Sequence, residues 1–118
     1  MQKPYLQTLL NEVISKMASE ATIQYNYNRA INQARTLEQL ADELKGLANR
    51  DLETTISNLS SNWNGESATV FIQKAQKAQE DMRGNANEIR NTASVIRRSA
   101  KNIRDAELRA LQLAKNRR

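Results

Sequence analysis

The sequence contains neither cysteine nor histidine. The first absence excludes a disulfide framework and any thiolate site. The second removes the commonest general base and the commonest metal ligand. Proline occurs once and glycine three times in 118 residues, so the chain has few places to turn. No apolar run approaches the ~20 residues that span a bilayer, and none has the form of a signal-peptide core. The stretch "LQTLLNEVI", 6–14, is broken by polar residues and preceded by a single lysine. Export of such a chain would proceed without cleavage of an N-terminal signal. The acidic pairs Asp42-Glu43 and Glu80-Asp81 are helix neighbours whose side chains diverge by about 100°, so they do not converge on a substrate. There is no phosphate-cradling glycine loop and no metal-ligand spacing. The expectation is a protein that is not an enzyme and carries no cofactor.

The composition that remains, 39% apolar and 26% charged with 4% aromatic, suits a long, thin helical protein of one domain. The fold class is all-α. Positions 68, 72, 75, 79, 82, 86, 89, 93, 96, 100, 103, 107, 110 and 114 step alternately by three and four, and all but Gln79 and Glu107 are apolar. Such a heptad seam predicts one helix over about 66–115, roughly 75 Å long at 1.5 Å per residue. Its alternation of alanine with Ile72, Met82, Ile89, Ile96 and Ile103 leaves a shallow stripe for a partner helix. An upstream partner continues the rhythm: Tyr27, Ile31, Ala34, Leu37, Ala41, Leu44, Ala48, then Leu52, Ile56, Leu59 and Trp63. Gly46 interrupts it at a cost of about 1 kcal/mol against alanine. The two polar seam positions, Gln79 and Glu107, are suited to choosing partner and register.

Between the two stretches stands "SSNWNGES", 60–67, with the only tryptophan. Serine and asparagine compete with helical backbone bonding. Gly65 permits angles closed to other residues, and Asn64 or Gly65 can cap the next helix with Glu66 at its positive end. Trp63 is expected to fold back over Leu59, Ala68 and Ile72, where it plugs the end of the seam. The elements then form an antiparallel helix-turn-helix hairpin over 28–118 with its turn at 60–66. Residues 1–27 form a helical extension, with Pro4 suited to its first turn and an apolar stripe at Leu6, Leu9, Leu10, Val13, Ile14 and Met17. The β-branched and asparagine-rich "TIQYNYN", 22–28, predicts a weak joint before the hairpin; a continuous bent helix over 5–60 is the alternative.

Trp63-Asn64-Gly65 at the single break of such a chain resembles the WXG-motif family, the small helical-hairpin proteins of type VII secretion related to the early secreted antigens of mycobacteria. The resemblance covers roughly residues 28–115. Members from Gram-positive bacteria often carry a C-terminal pattern of a polar residue, an acid, a hydrophobic residue and a polar residue, which Lys101, Asp105, Leu108 and Gln112 match. Read from the residues alone, the same four are a solvated helix face with an ion pair worth a few tenths of a kcal/mol. The mycobacterial form, a tyrosine four residues before an acid, is absent: no tyrosine or phenylalanine follows Phe71. That departure leaves the export signal lacking or carried by a partner. Folding about Gly65 sets the C-terminal pattern opposite residues 18–29, either free for a partner or covered by the N-terminal helix.

The resemblance implies a four-helix bundle on dimerisation, as a homodimer or as a heterodimer with another hairpin protein or the helical N-terminal domain of a larger effector. Leu37 and Leu44 join the isoleucines on the partner seam. It also implies handling by the type VII secretion ATPase, and a cytoplasmic stage before secretion. Residues 83–118 carry 10 basic and 3 acidic side chains, against 8 and 10 in residues 1–82. This asymmetry predicts a solvated, partner-steering face. No aromatic interleaving or nucleic-acid motif accompanies it, and the alanine-rich seam lacks the bulky anchors of an interfacial helix. Neither nucleic acid nor stable membrane insertion is expected. The alternatives are a non-secreted cytoplasmic coiled-coil adaptor and a basic nucleoid-associated protein.

Overall fold

The computed structural model describes residues 3–116 and is helical almost throughout. Helix α1 spans Lys3–Gly46, a π-helical turn spans Leu47–Leu52, α2 spans Glu53–Asn62 and α3 spans Glu66–Asn116. The last two arginines of the basic C-terminal run lie outside the described residues. The chain divides into two compact units, residues 34–94 and residues 1–33 with 95–118.

Within the 34–94 unit the two helical stretches are antiparallel. Arg90 meets Asp42, Arg83 meets Asn49 and Gln79 meets Ala48, so numbers fall on one side as they rise on the other. The seam residues differ in depth. Ala34, Ala41, Ala48, Ala86 and Ala93 are buried, whereas Leu37, Leu44, Met82 and Ile89 are half-buried. Alanine lets the backbones approach closely, and the longer side chains are then pushed to the flank. The unit therefore closes on its alanines and leaves a leucine–isoleucine edge partly in water.

α2 ends where side chains take over its carbonyls. Ser61 Oγ donates to the Ser57 carbonyl and Asn62 Nδ2 to that of Asn58, both at 3.0 Å. Trp63 is extended, and its N–H closes the last turn on Leu59 O at 2.8 Å. Gly65 has φ of +116°, the one positive value among the described residues, and its carbonyl accepts the Thr69 N–H at 3.1 Å to start α3.

In the other unit, α1 passes through 18–29 without a break, which corrects the expected joint. The β-branched residues cost only tenths of a kcal/mol in a helix. Local bonds support it: Thr22 Oγ1 donates to Ala18 O at 2.8 Å and Gln24 Nε2 to Asn28 Oδ1 at 3.2 Å. Ile23, outside the predicted stripe, takes the buried position there with 7% exposure. On α3 the seam is buried only as far as Ala100; Ile103, Glu107, Ala110 and Ala114 are exposed.

Candidate functional site

Trp63 does not plug the seam. It is 41% exposed, and its ring lies 5.7 Å from that of Phe71, tilted by 54°. The two border a shallow groove with Glu66, Ser67, Val70 and Lys74. Those positions form the outer face of α3's first turns, whereas the seam runs through 68, 72, 75 and 79. Ala68 is 2% exposed while Trp63 lies on the other face. The extended Trp63 backbone and the positive φ of Gly65 direct the ring outward. Trp63, Val70 and Phe71 thus make an apolar patch open to solvent beside the motif.

The π-helical turn after Gly46 had no sequence signal except the glycine itself. It is tied down by two side chains from α3. Gln79, 4% exposed, is the one buried polar residue among those described. Its Nε2 donates to the Ala48 carbonyl at 2.7 Å and to Glu53 Oε2 at 2.6 Å. Arg83 Nε donates to Asn49 Oδ1 at 2.6 Å. Both of the Gln79 amide hydrogens are used, which makes this polar interruption of the seam an internal register key. Gln79, expected to help choose partner and register, makes both of these bonds inside its own chain.

Arg83, Arg90, Arg97 and Arg104 recur every seven residues and so share one face of α3. Arg90 pairs with Asp42 at the surface. Arg104 lies over the Tyr27 ring, 4.1 Å from its centroid, and its Nε meets Asp105 Oδ1 at 3.2 Å. The basic excess of α3 is therefore partly engaged with α1 and is not simply a solvated face.

Of the C-terminal pattern, Lys101, Leu108 and Gln112 are exposed and Asp105 is half-buried beside Arg104. None of the four borders the groove that residues 5–19 share with Leu111, Ala114 and Lys115. Leu37, Leu44 and Ile89 border another groove with Asn85, Glu88 and Thr92. Ile72, Met82 and Ile96 are half-buried along the same seam, and Ile103 is 57% exposed. Among the described residues no group of three or more acidic side chains is placed to hold a metal, and no helix is long and apolar enough to cross a membrane. Lys77 has its pKa raised by the hydrogen bond and charge of Asp81, 2.9 Å away on the surface.

What this arrangement offers is apolar and charged helix surface on a small all-helical protein. Residues 22–108 match the family described as WXG100, proteins of 100 residues with WXG, and the chain belongs to that family. Its members are small helical proteins associated with type VII secretion. Comparison with curated proteins and with solved structures found no match.

Proposed function

We propose that this chain is a type VII secretion protein that works by helix-bundle dimerisation, either as a secreted substrate or as the targeting partner of a larger effector. The observation that carries this reading is the half-buried edge of Leu37, Leu44, Met82 and Ile89 in the 34–94 unit. A hairpin closed on alanine cannot cover these side chains. A second hairpin, of this chain or of an effector's N-terminal domain, would complete a four-helix bundle over them. In this reading residues 28–118 form the hairpin, with its Trp-x-Gly turn, and residues 1–27 its extension. Lys101, Leu108 and Gln112 are exposed on α3 with Asp105 half-buried beside Arg104, and with the exposed Trp63 they would supply features for the secretion ATPase to recognise.

The test is export from a host with active type VII secretion. The chain or its co-expressed effector should reach the medium, and deletion of the ATPase should abolish this. Asp105→Asn with Leu108→Ala should reduce export several-fold while leaving the helical signal intact. Retention of both chain and effector in cells that export other substrates would refute the reading.

A further inference from the structure

Every asparagine of the chain but one lies within α1, the π-helical turn, α2 or α3. The exception is Asn64, and it is also the only asparagine followed by glycine. Chemically the two facts belong together. An asparagine side chain is attacked most readily by the backbone nitrogen of the next residue, which closes a cyclic imide. Inside a helix that nitrogen's N–H is bonded to a carbonyl and the backbone angles are fixed, so the ring does not close. A Cβ on the next residue also crowds the attack, and glycine has none.

Both obstacles are absent at Asn64. It is exposed, and among the described residues no hydrogen bond holds its amide or the Gly65 N–H. Gly65 is anchored on its other side only: its carbonyl accepts the Thr69 N–H and the Thr69 hydroxyl, each at 3.1 Å. The place a side chain would occupy at Gly65 has no atom within 4 Å, which leaves room for the ring and for water. The φ of +116° between the two helices favours glycine at this position. The fold itself thus supplies the most reactive neighbour an asparagine can have. Asn62 gives the contrast. The Trp63 N–H that would attack it is bonded to Leu59 O at 2.8 Å, and its own amide is bonded to Asn58 O at 3.0 Å.

We propose that Asn64 is a site of self-modification, converted to aspartate and isoaspartate with water as the only co-reactant. The Gly65 nitrogen loses its proton and bonds to the Asn64 side-chain carbonyl carbon. The bond from that carbon to Nδ2 breaks, and Nδ2 leaves as ammonia. Water then opens the imide. Opening at the side-chain carbonyl gives aspartate. Opening at the backbone carbonyl gives isoaspartate, in which the chain runs through the former side chain. Either product puts a negative charge one residue before Gly65, close to the positive end of α3. Isoaspartate also adds one carbon to the backbone of the short link 63–65, which lies outside both helices. That link aims Trp63 outward and seats its ring 5.7 Å from that of Phe71, so isoaspartate changes how Trp63 is presented.

The full-length chain, aged in mildly alkaline buffer where the attacking nitrogen loses its proton more readily, is digested beside a fresh sample. Trypsin releases residues 51–74 as one peptide holding Asn58, Asn62 and Asn64 together. Tandem mass spectrometry should find the mass gain of amide-to-acid exchange at Asn64 and not at the other two, with isoaspartate among the products. The folded chain should react about as fast as the chain unfolded in guanidinium chloride. Gly65→Ala should slow the reaction several-fold even though it weakens the fold, and Asn64→Gln, whose ring would be larger, should stop it. Protection of Asn64 by several-fold in the folded chain, or equal conversion at Asn58 and Asn62, would overturn the proposal. Trp63, the only tryptophan, gives the second reading. Its emission should shift in step with isoaspartate formation and stay constant in the aged Asn64→Gln chain. Unchanged emission in a converted sample would overturn the effect on Trp63.

Discussion

Replacing Gln79 by methionine removes both amide hydrogens while nearly keeping the side-chain volume. The bond to the Ala48 carbonyl is buried, and an interior acceptor stripped of its donor costs about 1–3 kcal/mol. The bond to Glu53 is charge-assisted, but Glu53 is exposed and regains water when its partner leaves, so this part adds at most about 1 kcal/mol. Gln79→Met should therefore lower stability by about 2 kcal/mol. Gln79→Ala should lower it by about 3 kcal/mol, since a methylene worth ~0.8 kcal/mol is also lost. Gln79→Glu sets a second carboxylate against Glu53, and burial beside a like charge raises its pKa in the folded state. The folded variant then binds more protons than the unfolded one, so its stability is lowest at neutral pH and recovers on acidification. Urea titrations followed by far-UV circular dichroism, at fixed protein concentration because association shifts midpoints, measure all three. Gln79→Met as stable as the native chain, with Gln79→Glu showing no recovery in acid, would refute the register key.

Ala41→Leu or Ala93→Leu puts a large side chain where the residue has 0% exposure. It should destabilise the 34–94 unit by about 1–3 kcal/mol in the same titration. Gly65→Ala has open space for its methyl but keeps φ at +116°, so thermal melts should show a purely conformational loss of about 1–2 kcal/mol, smaller for Gly65→Asn. Arg90→Ala breaks a surface pair and should cost less than about 1 kcal/mol, falling further as salt is added. Lys77 is bound more tightly to its proton in the folded state, so its stabilisation is present below its unfolded pKa and is lost as pH rises through the folded value. The melting difference between native and Lys77→Met chains should accordingly shrink at strongly alkaline pH.

The heptad rhythm, the scarcity of proline and glycine, and the polar cluster at 60–66 were enough to specify helices, their seam and the single break near Trp63. These are local properties, set by period and by backbone freedom at each residue. The register of the 34–94 unit was legible for the same reason, since a break at Gly65 leaves little choice about what lies opposite what. Depth was not legible. Alanine and isoleucine score alike as apolar, and only close approach of the two backbones buries Ala41 and Ala93 while leaving Leu44 and Ile89 at the edge. Gln79 looked like an interruption until the π turn brought the Ala48 carbonyl within its reach. Trp63 shows the same limit from the other side. Hydrophobicity marks a side chain as seeking cover, but the direction in which it points depends on backbone angles and on where the neighbouring helix already lies. Here the positive φ of Gly65 decided it, and the Trp63 ring was left facing water.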